Sequence, residues 1–170
     1  MERAQPAAVT VELLADRPDL LVPLARIRWS EWHDHPGRED VQWWIDTTRS
    51  ESGASGLPVT FVAVDADGEA VGGVGLIPVE HPELAGRGPW VVGMIVRADR
   101  RGQGVGTALM SRLTLWAAEA GIHRLWVTAA GRALDFYRRC GFTVTETVQL
   151  TNGGWPVAAT VATRSSAGTS

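Results

Sequence analysis

The stretch Val91-Val92-Gly93-Met94-Ile95-Val96 runs straight into Arg97-Ala98-Asp99-Arg100-Arg101-Gly102-Gln103-Gly104-Val105-Gly106. An apolar run, a glycine-rich loop and a helical pattern, in that order, leave bare backbone N–H groups at a helix N-terminus. Those groups and the positive end of the helix bind anions, and a pyrophosphate suits them. Gly102, Gly104 and Gly106 let phosphates approach the backbone, and Arg100 and Arg101 add positive charge nearby. The spacing is Gly-x-Gly-x-Gly. A dinucleotide fold uses Gly-x-Gly-x-x-Gly and an acid some way beyond, near the ribose. Here the nearest acid, Glu119, falls within the following helix. A tight glycine turn flanked by solvated arginines is the plain structural alternative.

A second segment weighs against that alternative. Ala133-Leu134-Asp135-Phe136-Tyr137-Arg138-Arg139-Cys140-Gly141-Phe142 follows the loop. Together the two segments resemble the GNAT superfamily of acyl-CoA-dependent N-acyltransferases. Arg101, Gly104 and Gly106 match that family's Arg/Gln-x-x-Gly-x-Gly/Ala signature. Tyr137, Gly141 and Phe142 match its Tyr-x-x-x-Gly-Phe signature. The resemblance is strongest over residues 89–142 and weak before residue 58.

The resemblance implies an N-acetyltransferase that moves an acetyl group from acetyl-CoA to a primary amine of a small molecule or peptide, by direct attack. Its coenzyme contacts would come from Met94, Ile95 and Val96 on the strand and from Arg101, Gly102, Gln103, Gly104, Val105, Gly106 and Thr107 on the loop and helix start. The backbone N–H of Met94 would stabilise the tetrahedral oxyanion. Gly93 suits the bulge the family places in this strand. Tyr137, the chain's only tyrosine, would protonate the leaving thiolate. A core aromatic with its hydroxyl satisfied elsewhere is the competing reading for it. Cys140 reads as a packed small residue.

The sequence departs from the family at two points. The fourth strand carries no glutamate, and Ala129 and Ala130 stand where an asparagine is frequent. The base that deprotonates the amine must come from elsewhere. Candidates are Glu80, His81 and Glu83 before the strand and Glu31, His33 and Asp34 after the first helix, with Glu83 taken as the catalytic one. Glu31, Trp32, Asp34 and Glu80 are the expected acceptor contacts, and acids there suit a cationic amine. Trp29, Trp32, Trp43 and Trp44 crowd two early helices, where pocket lining and core packing compete. His33-Asp34-His35 offers two imidazoles without a third anchored ligand, so no metal is expected. The missing strand glutamate keeps a second function open, a non-catalytic acyl-CoA-binding or regulatory module.

These residues need a frame. Val9–Leu14 alternates as a first strand. Pro18 opens a helix that runs to about Trp32. A second helix starts near Glu39 and carries Val41, Trp44, Ile45 and Thr48 at helical spacing. Pro58–Val64 and Ala70–Ile77 form a hairpin about Asp65-Ala66-Asp67-Gly68. Gly72, Gly73 and Gly75 suggest close approach by another backbone. The loop Pro78–Gly88 leads to the strand Pro89–Val96. Gly106–Ala120 is a helix stopped by Gly121, Arg124–Thr128 a strand, and Arg132–Cys140 a helix closed by Gly141. Phe142–Val148 and Pro156–Thr163 form a last pair across a turn at Asn152-Gly153-Gly154. The expected fold is α/β of the α+β type: a mixed sheet of six to seven strands, mostly antiparallel, with splayed parallel fourth and fifth strands and about four helices. One domain, 1–163, and a flexible tail, 164–170, are expected.

Composition limits what else the chain does. It has 170 residues, 45% hydrophobic, with 16 basic and 19 acidic groups and a formal net charge of −3. That balance opposes a nucleic-acid or membrane-surface role. Every basic residue among the Lys and Arg is Arg, which excludes a lysine Schiff base and a Walker-type phosphate loop. The single cysteine allows no internal disulfide. No signal peptide or membrane-length apolar run is seen, so a cytoplasmic location is expected. A homodimer is the expected oligomeric state.

Overall fold

The computed structural model describes residues 8–84, 86–150 and 153–161. Strand β1 spans Thr10–Leu13, helix α1 Leu21–Trp32, helix α2 Val41–Ser50, strands β2 and β3 Val59–Val64 and Ala70–Ile77. Strand β4 spans Trp90–Val96, helix α3 Val105–Glu119, strand β5 Arg124–Thr128, helix α4 Gly131–Arg139, strand β6 Thr143–Leu150 and strand β7 Gly153–Val161. Hydrogen-bonded neighbours follow the order β1-β2-β3-β4-β5-β7-β6. This is the expected mixed sheet, and its β4–β5 pair is parallel, with Trp90 opposite Trp126. The chain groups into two compact units. One comprises residues up to Leu76 with Gly93–Arg112, the other Ile77–Val92 with the residues from Leu113 onward.

The first unit is an antiparallel meander with helices. β1 pairs with β2, and β2 with β3. The hairpin turn between β2 and β3 is built by Asp65, whose Oδ1 accepts from the N–H groups of Asp67 and Glu69 at 2.9 Å each. Gly68 completes it at φ +81°. Both strands are buried almost throughout, which explains their β-branched and small residues. Leu14, Leu20, Leu24, Val62, Val64, Ala70 and Ile95 form this unit's core. Two glycines of β3 are there for close packing. A Cβ on Gly72 would stand 2.6 Å from the Ile95 carbonyl oxygen, and one on Gly73 2.6 Å from a methyl of Leu24.

The helix expected from Pro18 opens as a 3₁₀ turn before it becomes α-helical. Leu14–Asp16 and Pro18–Leu20 are separate 3₁₀ turns, and the α-helix begins at Leu21. Arg17, between the turns, has ψ +64°, outside the helical region. Helix α2 starts at Val41, because the Asp40 carboxylate caps it by accepting from Gln42 N–H.

In the second unit β5 pairs antiparallel with β7, and β7 with β6. Leu84, Trp90, Leu150 and Val157 form a core flanked by Ile77, Val92, Trp126 and Val148. Gly153 and Gly154 belong to β7, three and two residues ahead of the expected start at Pro156, because their backbones continue the ladder to Leu150 and Gln149. Asn152, Thr163 and the expected tail lie outside the described residues. Gly121 and Gly141 act as the helix stops expected, at φ +77° and +96°. The N–H groups of Ile122 and Phe142 reach back to the carbonyls of Ala117 and Tyr137 at 2.9 and 3.0 Å.

Candidate active site

The phosphate loop lies in the first unit. β4 ends at Val96, a 3₁₀ turn spans Ala98–Arg100, and α3 starts at Val105. Gly102 and Gly104 take φ +76° and +83°. A Cβ on either would meet nothing within 4 Å. Backbone conformation, and not crowding, therefore demands glycine there. The first internal bond of the helix runs from Ala108 N–H to the Gly104 carbonyl, at 3.0 Å. The N–H groups of the preceding helical residues have no partner inside the helix. Gln103 adds a buried side-chain oxygen that has no hydrogen-bond partner.

The two loop arginines are not free solvated charges. Arg100 donates to the Asp65 carboxylate at 2.8 Å, which locks the loop to the β2–β3 turn. Arg101 donates through Nη2 to Glu31 at 2.8 Å and through Nε to the Val96 carbonyl at 3.2 Å. An expected acceptor contact, Glu31, is thus joined to an expected coenzyme contact.

Behind β4 stands Arg28, which sequence reasoning missed. It is 1% exposed. Its Nε donates to the Gly93 carbonyl at 3.2 Å, and its Nη1 to Thr48 at 3.1 Å and Glu51 at 3.3 Å. Burial pushes the Glu51 carboxyl above its usual range, against the pull of Arg28. Gly93 has φ +59°, left-handed backbone within the strand, and a Cβ there would stand 2.5 Å from the guanidinium. A signal did exist in the sequence: Arg28 lies one turn beyond Leu24, on the face that packs inward.

Of the early tryptophans, Trp44 is buried and stacks on Trp32 at 5.6 Å between centroids, with Trp43 edge-on at 4.8 Å. The indole N–H groups of Trp29 and Trp44 hold the loop between α1 and α2 by its Glu39 and Arg38 carbonyls, at 2.9 Å each. Core packing and loop anchoring therefore occupy Trp29 and Trp44. Asp34 is exposed beside His35. An open cavity of about 620 Å³ in this unit, lined by Leu20, Pro23, Arg26, Glu69 and Arg97, contains none of the expected site residues.

Tyr137 and the residues of the β3–β4 loop lie in the second unit. Tyr137 projects from α4 and is 6% exposed, with Phe136 and Phe142 edge-on at 5.3 Å each. Burial, and after it the Glu80 carboxylate and Cys140, push its phenol well above the usual range. The hydroxyl therefore keeps its proton across the neutral and mildly alkaline range. Cys140, half-buried, is also pushed up by burial, which opposes a thiolate nucleophile.

Glu80 Oε2 lies 3.4 Å from His81 Nε2. Thr128 Oγ1, on β5, is 3.4 Å from the same nitrogen and 3.5 Å from the same carboxylate. Trp90 braces the imidazole edge-on at 5.9 Å. Glu83 sits exposed in the 3₁₀ turn Pro82–Leu84. The second unit thus gathers Tyr137, Glu80 and His81, while Glu31, Trp32 and Asp34 belong to the first. Among the described residues no group of three or more His, Cys, Asp and Glu is placed to hold a metal, and no helix is long and apolar enough to cross a membrane.

A parallel β4–β5 pair, a glycine loop at the start of α3 and a buried tyrosine on α4 define a class. The model of the GNAT acetyltransferase family matches residues 19–142, and the chain belongs to that family. An uncharacterized N-acetyltransferase of Methanocaldococcus jannaschii is 30% identical over 136 residues, 75% of this chain and 50% of its own. The chain thus spans half the length of that curated relative. A GCN5-related N-acetyltransferase from Kribbella flavida has the same fold, with a TM-score of 0.64 and 28% identity over 91% of this chain and 98% of its own. An aminoglycoside 6'-N-acetyltransferase complexed with coenzyme A matches at TM-score 0.66 and 19% identity, covering 92% of this chain and 97% of its own.

Proposed function

We propose that the protein transfers the acetyl group of acetyl-CoA to a primary amine. The observation that carries this reading is the loop at the head of α3, where Gly102 and Gly104 hold left-handed backbone and leave N–H groups unpaired by the helix. A pyrophosphate is the ligand such a loop suits. Family membership makes that pyrophosphate part of coenzyme A, and the coenzyme A complex of the aminoglycoside acetyltransferase supports it.

In this reading the backbone of Met94, Ile95 and Val96 holds the pantetheine arm. Arg101, Gly102, Gln103, Gly104, Val105, Gly106 and Thr107 hold the phosphates. The amine nitrogen attacks the thioester carbonyl. A C–N bond forms, the C–S bond breaks, and the Met94 N–H steadies the oxyanion between the two events. Tyr137 gives its proton to the departing sulfur. The raised affinity of its phenol for the proton keeps Tyr137 in the protonated form that a donor needs, while making it a weak acid. Acids among the expected acceptor contacts, Glu31, Asp34 and Glu80, favour a cationic amine. A cytoplasmic setting and a homodimer belong to the same reading.

Calorimetry with coenzyme A and acetyl-CoA, followed by thiol release in a panel of amines, tests it. Micromolar binding with turnover of at least one amine is expected. Binding without turnover of any amine would leave the non-catalytic acyl-CoA module. Absence of binding would remove both readings.

A further inference from the structure

The strand that would carry a family glutamate reads Trp90-Val91-Val92-Gly93-Met94 and offers no side chain to take the amine's proton. The structure assembles an alternative. Residues 80 and 81 come from the loop after β3, and Thr128, 47 positions beyond His81, comes from β5. Their polar atoms form a triangle with sides of 3.4, 3.4 and 3.5 Å.

We propose that His81, held by Glu80 and Thr128, is the general base that takes the acceptor's proton. The inference rests on the acetyl-transfer reading above.

Three features support the assignment. The first is the tautomer. Nε2 faces the Glu80 carboxylate, an acceptor, so it carries the ring hydrogen and leaves the lone pair on Nδ1. The Thr128 hydroxyl donates to the same carboxylate. Distances of this length are usual for catalytic hydrogen bonds before substrate arrives.

The second is rigidity with access. Trp90, fully buried, braces the imidazole. Its own indole N–H is tied to the Arg87 carbonyl at 3.0 Å. Yet the His81 and Glu80 side chains keep 23% and 29% of their surface open. The exposed Glu83 has no such support, and Glu31 is engaged by Arg101.

The third is the neighbour. The Glu80 carboxylate acts on the Tyr137 phenol and helps keep it protonated. One carboxylate thus holds the base by contact and acts on the acid through its charge. It accepts from His81 Nε2 at 3.4 Å and opposes loss of the proton from Tyr137. The titratable groups about His81 are Glu80 beside it and Tyr137 beyond that carboxylate. Arg87, in the same loop, is paired with Glu146 at 2.9 Å.

The proton balance closes. The ammonium form of the acceptor gives one proton to His81 Nδ1 on entry, and the imidazolium passes it to solvent before the attack. The attacking nitrogen gives a second to His81 Nδ1 as the C–N bond forms. The sulfur leaves with the proton of Tyr137. The phenolate and the imidazolium then restore their resting states with solvent.

The test compares His81→Gln and Glu80→Gln with the parent, using acetyl-CoA, the best amine of the panel and a weakly basic amine that is already neutral at pH 7. Coenzyme A affinity, by calorimetry, should match the parent in both variants. For the strongly basic amine His81→Gln should lower kcat/KM at pH 7 by about 10²-fold or more. The loss should shrink as pH approaches the amine's own pKa, and it should be smaller for the weakly basic amine. Glu80→Gln, which keeps the ring, should lower kcat by about tenfold with the same dependence on amine basicity. If His81→Gln retains the parental rate, or loses equally with both amines at every pH, the assignment is wrong. If His81→Gln fails to bind coenzyme A, Glu80→Gln decides, and a parental rate there overturns the proposal. A parent that acetylates no amine removes the acetyl-transfer reading itself, a result distinct from a variant that matches an active parent.

Discussion

The guanidinium of Arg28 lies directly against Gly93: Nε donates to the Gly93 carbonyl at 3.2 Å, and a Cβ on Gly93 would fall 2.5 Å from Nη2. A buried cation therefore props the left-handed turn that precedes Met94. Arg28→Met keeps the stem and removes the charge. It strands the partly buried Glu51 carboxylate and the Gly93 carbonyl, so a loss of about 3–5 kcal/mol is expected. The sign of its pH dependence follows from Glu51. Its folded pKa lies above the ordinary 4.5 because burial outweighs the pull of Arg28. A carboxyl held high in the folded state makes stability fall as pH rises through that range. Without Arg28 the carboxyl rises further, so the deficit should be larger at pH 7 than at pH 4. Urea unfolding at both values checks this. A deficit independent of pH would show that Arg28 acts by packing alone.

Gly104 separates conformation from charge. Its φ of +83° strains any other residue, while the space around it is open. Gly104→Ala and Gly104→Asp should each cost about 1–2 kcal/mol of stability and remain folded. Only the aspartate also places a negative charge among the loop N–H groups. Calorimetry should therefore find coenzyme A binding weakened in the alanine variant and abolished in the aspartate one. Equal affinities in the two variants would argue against an anion site.

Tyr137→Phe keeps the ring and removes the proton. A free thiol has a pKa near 8.5, so the thiolate is a fair leaving group and the loss should sit at the low end of acid catalysis, about 10²-fold in a single turnover. KM for acetyl-CoA should hardly change. Because the phenol is pushed well above its usual range, it should not ionise within the working range. The alkaline limb of the parent's pH–rate profile should therefore keep its shape in Tyr137→Phe. A limb that disappears in the variant would mean that the phenol titrates there.

Asp65 is the pH-sensitive anchor of the loop. Backbone N–H groups of Glu69 and Asp67, with help from Arg100 and Arg97, hold its carboxyl below the ordinary 3.8. A carboxyl held low contributes stability above its unfolded value and loses it as pH falls through the folded one. Asp65→Asn retains Oδ1 as an acceptor for the turn and drops the ion pair with Arg100. The Tm gap between parent and variant should be constant near pH 7 and close progressively below about pH 4. Thermal unfolding across that range checks it, and a gap that widens on acidification would reverse the assigned sign.

The positions of the strands and the last three helices were legible from alternation, helical spacing and glycine stops such as Gly121 and Gly141. The 3₁₀ opening of α1 was not, because Pro18 starts a 3₁₀ turn as readily as an α-helix and tertiary packing of Leu20 selects between them. The glycine loop and Tyr137 were legible because each depends on residues close in the chain.

The sequence by itself determined the glycine loop ahead of α3. Left-handed glycines ahead of a helix leave backbone N–H groups bare wherever the helix is placed. It also determined Tyr137 as the sole phenol available. Tertiary structure alone decided the partners of Arg28 and the assembly of the Glu80–His81–Thr128 triangle. An arginine on an inward helix face is an anomaly until Gly93, 65 residues away, supplies its acceptor. A histidine beside a glutamate is an ordinary loop pair until β5 brings Thr128 and the β4 residue Trp90 braces the ring. Side-chain chemistry is written locally, but burial and hydrogen-bond partnership arise only when distant segments pack together.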